Sequence, residues 1–200
     1  METSWCPIIQ AEAPVARAER RRVIASRKVQ PEGSAMRINP QHAARLYLQG
    51  LASLHLRERV DDAHVDWVLQ RSPPVEVPAG HVVLRQGDPA DSALLIVHGE
   101  LCATVHAETG EREVGSAGAW DVVGETALFA PTQPRSATVR AARDSTCLRV
   151  PRALLEEGRE NPVVAAIEYH LLHTLTHRLR STNQGIVEAM AEGAARRGEA

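Results

Sequence analysis

The chain has 200 residues, 44% of them hydrophobic and only 3% aromatic, with 23 basic against 25 acidic side chains and a formal net charge of -2. That length suits one domain with helical flanks, and the near balance of charge excludes a global attraction to nucleic acid or to an anionic membrane. No apolar run approaches the roughly 18 to 20 residues of a membrane span, and Met1 to Gln10 carry Glu2 and only a short apolar patch, so neither a span nor a secretion signal is expected and a cytoplasmic location follows.

Residues 1–40 mix Pro7, Pro14, Pro31, Gly33 and Pro40 with the basic cluster Arg17, Arg20, Arg21, Arg22, Arg27 and Lys28. Apolar positions are too sparse there to build a core, so the segment reads as a flexible basic extension, a solvated tail rather than a nucleic-acid arm. Strong patterning begins just after Met36. Over 41–71 two helices are expected. Ala44, Leu46, Tyr47, Leu48, Leu51 and Leu54 recur at helical spacing, and Asp61 stands as N-cap before Val65, Val68 and Leu69. Ser72-Pro73-Pro74 ends the second helix.

From 72 to 151, proline and glycine punctuate short β-branched runs at 75–77, 81–84, 94–97, 101–106, 113–114, 122–123, 136–141 and 146–150. Evenly spaced short strands predict an antiparallel β-roll, a jelly-roll-like barrel, with Thr109-Gly110 as a hairpin turn. The fold class is therefore α+β. Three cysteines without a Cys-x-x-Cys pair, two of them (Cys102 and Cys147) inside apolar runs, read as reduced, buried thiols.

After Pro151 the period lengthens to about three and a half. A brief helix is expected over 152–158, and a long one starts at Pro162 behind the capping residue Asn161. Along 163–190 the residues Leu172, Leu175, Leu179, Thr182, Ile186 and Ala189 form a coiled-coil seam, which points to a homodimer. Gly185 marks a helix break, and 191–200 read as a flexible tail. His170, His173 and His177 follow helical spacing on the outer face of that seam. No carboxylate or cysteine completes a ligand set, so a solvated or barrel-facing stripe is expected and no metal.

The chemistry concentrates in residues 124–137, Gly-Glu-Thr-Ala-Leu-Phe-Ala-Pro-Thr-Gln-Pro-Arg-Ser-Ala. A carboxylate can accept from a sugar hydroxyl, and a guanidinium can pair with phosphate oxygens through two parallel bonds. The plain alternative for Arg135 is a surface ion pair with Asp121 or Glu125. No Ser-His-Asp order, Walker loop or dinucleotide fingerprint appears, so catalysis has no carrier and no enzyme is expected.

Gly124-Glu125, Leu128, a short variable run and Arg135-Ser136-Ala137 together resemble the phosphate-binding cassette of cyclic-nucleotide-binding domains, the family of catabolite activator proteins and protein kinase A regulatory subunits. Pro78-Ala79-Gly80, Leu84, Gln86-Gly87-Asp88, Asp91, Ile96 and Gly99 resemble its opening strands. The resemblance implies that Glu125 accepts from the ribose 2′-hydroxyl and that Arg135 neutralises the cyclic phosphate. Gly124, Thr126, Ala127, Ser136 and Ala137 complete the cradle. Thr182 and Asn183 on the long helix serve as the lid that reads the base. Cyclic AMP (cAMP) is favoured over cyclic GMP (cGMP), because Thr182 and Asn183 align with the polar pair that touches adenine in the family, although a hydroxyl such as that of Ser136 can also meet the guanine amino group. Trp120 departs from the pattern, standing where most relatives have glycine, and its indole either shields the pocket or fills the core. Only about a dozen residues follow Glu188, too few for a helix-turn-helix. The expectation is a cyclic-nucleotide sensor acting on a protein partner and not on DNA or a membrane. Its rival is a ligand-free interaction module of the same fold.

Overall fold

The computed structural model describes residues 39–198, except 58, 109 and 131, and the side chains only as far as 191. The expected basic extension therefore lies outside the described residues but for its last two positions. Helix α1 (Pro40–Leu56) starts as its sequence requires, with the Asn39 carbonyl oxygen of the side chain accepting from the Gln41 and His42 N–H groups at 2.9 and 3.3 Å. Helix α2 (Asp62–Arg71) follows Asp61, whose side chain makes no capping bond. Arg45 ties the two helices together through Asp62 and Asp66.

The strands are β1 (Pro74–Val77), β2 (Val82–Leu84), β3 (Ser92–Ala107), β4 (Gly110–Gly118), β5 (Val122–Val123) and β6 (Thr138–Pro151). Their antiparallel sheet runs β1-β6-β3-β4, with β2 also on β6 and β5 also on β3, and this roll does not close into a continuous barrel. Two pairs of expected strands are single long ones: 94–97 with 101–106 form β3, and 136–141 with 146–150 form β6, which begins at Thr138. Glycine and charge at 98–100 and 142–144 read as turns, yet the chain continues through register shifts between Ile96 and Leu101. Such bulges bend a strand without ending it. Gly99 sits at the bend with φ 101° against Ser145.

The continuous burial from Ser92 to Ile96 arises because β3 has a core on both faces. Ala93 and Leu95 pack with α1, α2 and the C-terminal helices, and Leu94 and Ile96 pack inside the roll with Val123, Val139 and Cys147. Helices α3 (Thr126–Phe129), α4 (Arg152–Glu157) and α5 (Pro162–Gly198) complete the order. Helix α5 runs through Gly185 without a break and continues past 190 where a tail was expected. A helix tolerates one glycine at about 1 kcal/mol.

Asn161 starts α5 from a buried position. Its Oδ1 accepts from Val163 N–H at 2.9 Å while its Nδ2 donates to the His64 carbonyl at 3.1 Å. Asn161→Ala therefore removes a cap and the side-chain bond that ties the start of α5 to the His64 carbonyl of α2. The expected loss is about 1 to 2 kcal/mol, read as a lower urea midpoint with an unchanged slope.

Of the histidine stripe, His173 and His177 are exposed, but His170 is only 5% exposed and turns inward. The seam residues Leu172, Leu179 and Ile186 are exposed on this single chain, and Leu175 is half-buried.

Candidate ligand site

Strand β5 leads directly into the cassette. Gly124 has φ 73°, and a Cβ there would stand 2.7 Å from Arg135 Nη1 and 2.9 Å from Leu84 Cδ1, so only glycine lets the backbone lie against the guanidinium. The one-turn helix α3, missed in the sequence because four residues carry no period, then buries Ala127 and Leu128 beneath the loop and leaves Thr126 exposed. Glu125 at its start is 6% exposed.

Arg135 is 8% exposed, so the alternative of a surface ion pair with Asp121 or Glu125 is not what holds it. Its N–H donates to the Asp88 carbonyl and its carbonyl accepts from Gly87 N–H, both at 2.9 Å, which clamps its backbone to the 86–88 turn. The side chain donates to the Gly124 carbonyl at 3.2 Å and to Ser92 Oγ at 3.4 Å, and lies 3.6 Å from Asp91. Burial pushes its pKa down and Asp91 pulls it back, while Arg149 adds to the lowering; a guanidinium keeps its charge in such surroundings.

Ser92 was not singled out from the sequence, and Asp91 only as part of the opening strands. Asp91 accepts from Ser92 Oγ at 2.8 Å, and its two carboxylate oxygens share Nη2 of Arg149 at 2.9 and 3.0 Å. The Ser92 hydrogen bond, aided by Arg149, holds its carboxyl below the usual range. The result is an anionic anchor behind Arg135.

Arg178 is the other residue that the sequence reading missed. It reaches from α5 to donate to Glu125 Oε1 at 2.7 Å and to the Val122 carbonyl. Its signal was present, since it precedes the proposed lid residue Thr182 by one helical turn. A cavity of about 420 Å3 separates these groups, inside the range of roughly 300 to 1,000 Å3 usual for small-molecule sites. Leu101, Ala103, Ala117, Val123 and Val139 form its apolar floor, and Gly124, Glu125, Thr126, Arg135, Ser136 and Ala137 form one wall. Helix α5 supplies Arg178, Ser181 and Thr182 above it. Ala127 packs under that wall, and Asn183 is exposed on α5 and does not line the cavity.

Trp120 is outside the cavity. Its φ of 72° is a left-handed conformation that glycine adopts without cost, which accounts for the residue type expected there. The N–H donates to the Ile96 carbonyl at 2.9 Å, and the ring stacks on Tyr47 of α1 at 4.6 Å and rests against Gly50. The indole neither shields the cavity nor enters the core; it covers α1. Among the described residues no group of three or more His, Cys, Asp or Glu could hold a metal ion. Cys147 is buried, which pushes its thiol up to about 11, and Cys102 is half-buried; both are free. A cationic end, a carboxylate end and an apolar floor suit an anionic group joined to a hydroxylated ring and a flat body.

The family model of the cyclic nucleotide-binding domain matches residues 74–161. Among curated proteins, human patatin-like phospholipase domain-containing protein 6 (Homo sapiens) is 32% identical over 113 residues, 56% of this chain and 8% of that protein. The rat protein 7 of the same name (Rattus norvegicus) is 33% identical over 113 residues, again 56% and 8%. The chain thus spans under a tenth of the length of the curated relatives it matches. Among solved structures, a cyclic nucleotide-binding domain from Methylobacillus flagellatus superposes with a TM-score of 0.62 at 22% identity, covering 72% of this chain and 83% of that one. The catabolite activator protein of Thermus thermophilus superposes with a TM-score of 0.54 at 26% identity, covering 66% and 61%.

Proposed function

We propose, from the premise that residues 74–161 belong to the cyclic nucleotide-binding domain family, that the chain binds a cyclic nucleotide and relays its presence through α5 to a partner protein. The observation that carries this is one cavity with a buried arginine, Arg135, and a buried glutamate, Glu125, facing it across Gly124. Arg135 meets the cyclic phosphate, with Asp91 and Ser92 holding the guanidinium in place. Glu125 accepts from the ribose 2′-hydroxyl beside Arg178. Ser136 and Ala137 complete the phosphate end, and the base lies on the apolar floor under Thr182.

A ligand that bridges the cassette and α5 favours the closed arrangement of the two, because it has contacts there that an open arrangement lacks. The role is regulatory and not catalytic. Cyclic AMP is favoured over cyclic GMP by the resemblance of Thr182, above the floor, to the lid position that meets adenine in the family. Among the described residues no helix is long and apolar enough to cross a membrane, and we place the protein in the cytoplasm.

Isothermal calorimetry with each nucleotide tests the reading. Binding of cyclic AMP at micromolar concentration, tighter than cyclic GMP, is the expected result. No heat from either at millimolar concentration would leave the ligand-free module of the same fold.

The exposed apolar residues Leu172, Leu179, Ile186, Val187 and Met190 along α5 support a homodimer through this helix. Leu179 is 65% exposed, so Leu179→Asp leaves the fold of one chain intact. Its sedimentation is expected at half the parent's mass. An unchanged mass would place the dimer contact elsewhere.

A further inference from the structure

Leu84 and Arg135 line two cavities. One is the ligand site described above; the other, of about 330 Å3, lies at the lower end of the range usual for small-molecule sites. Its apolar wall is drawn from four strands: Val75 and Val77 of β1, Val83 of β2, Leu94 of β3 and Cys147 of β6. The sheet register gathers them, since Cys147 stands opposite Val75 and Leu94 stands opposite Arg149, which begins the polar end. Val75, on the edge strand, is 48% exposed, so part of this apolar wall is left uncovered.

The polar end carries Arg85, Arg135 and Arg149 against Asp88 and Asp91, three cations to two anions. Asp91 is already committed, with both oxygens on Arg149 Nη2 and Arg135 at 3.6 Å. Arg149 gives Nε to Ser92 and Nη2 to Asp91, and its Nη1 has no acceptor among the described residues. The Arg85 guanidinium, at an exposed position, likewise makes no hydrogen bond or ion pair among them. Spare guanidinium donors beside an aliphatic wall suit a carboxylate with an apolar tail. The head supplies the one negative charge that the polar end lacks, and the tail covers Val75, Val77 and Leu94. An amine would meet surplus cations there, and a multiply charged phosphate would overshoot the deficit and face the apolar wall.

We propose that this second cavity binds an aliphatic monocarboxylate with a tail of about eight carbons, its head on Arg149 and Arg85 and its tail against β1. Because Arg135 belongs to both cavities, an anion in the second reduces the pull of that guanidinium on an anion in the first. The two sites therefore oppose each other, and by linkage each ligand weakens the other by the same factor. Binding of the carboxylate stands apart from the function proposed above; its effect on the nucleotide rests on it.

Calorimetry of the full chain with sodium octanoate, without nucleotide, tests the site. Saturable binding at millimolar concentration is expected, with hexanoate about tenfold weaker because two fewer methylenes are buried, and with no heat from acetate. Val75→Trp, at a half-exposed position, fills the cavity from its rim, and Arg85→Gln removes an exposed cation; each is expected to weaken octanoate about fivefold. Neither residue lines the nucleotide cavity, so both variants are expected to hold cyclic AMP within about twofold of the parent. Octanoate that gives no heat at millimolar concentration, an affinity indifferent to tail length, or binding unchanged in both variants would overturn the site. Where cyclic AMP binds, saturating nucleotide is expected to weaken octanoate about threefold. Complete exclusion of octanoate by the nucleotide would place both in one cavity and overturn the second.

Discussion

Arg135→Ala weakens cyclic AMP binding by about 2 to 5 kcal/mol, roughly 30-fold to several thousandfold, while the chain stays folded. The size follows from the setting. A guanidinium this buried would meet its phosphate without competing water, and the substitution removes the paired cation from the phosphate end of the cavity, leaving Arg178 engaged with Glu125. The cost to the free protein is small by comparison, because Asp91 keeps its ion pair with Arg149 Nη2 and Ser92 keeps its bond to Arg149 Nε at 2.9 Å. Arg135→Lys keeps the charge but not the paired geometry, and should fall between parent and alanine. Calorimetry gives the affinities, and thermal unfolding without ligand separates loss of binding from loss of fold. A loss under about threefold for Arg135→Ala would show that the nucleotide does not engage this residue.

Gly99→Ala is the substitution expected to damage the fold most, by about 3 to 5 kcal/mol. Two costs coincide. The φ of 101° is foreign to residues with a Cβ, and that Cβ would sit 2.5 Å from the Ser145 Cα, where only movement of the β6 backbone makes room. Ser145 cannot yield easily, since its Oγ donates to the Arg143 carbonyl at 2.7 Å and accepts from Glu100 N–H at 3.1 Å. Gly80→Ala is the matched control. Gly80 has φ 84° but open space around its missing side chain, so it bears the conformational cost alone, about 1 kcal/mol. Urea unfolding of the two variants isolates the steric part; equal losses would mean that β3 and β6 separate freely at the bend.

The features legible in the sequence were those in which one residue type is the sole physical solution. Gly124 needed close backbone approach, Asn161-Pro162 could only open a helix, and the continuous apolar run from Leu94 to Val97 could only be a buried strand. What stayed hidden depended on partners distant in the chain. Arg178 is one basic residue among several on α5 until the fold brings it to Glu125, 53 residues earlier. His170 is indistinguishable from His173 by spacing, and only the rotation of α5 against α1 buries one and exposes the other. The continuity of β3 through His98-Gly99-Glu100 was obscured because local turn chemistry was outweighed by pairing with β6 along almost its whole length. Trp120 shows the opposite case, a local rule broken by its backbone and compensated by stacking on Tyr47.

Strand β3 has one further consequence. Leu101 and Ala103 belong to the floor of the ligand cavity, while Ala93 and Leu95, on the same unbroken strand, belong to the helical core. The two compartments share a party wall with no loop in it to absorb displacement. On the function proposed above, a ligand that draws the floor inward would load the helices directly, with the helical core as the gauge on which occupancy is read.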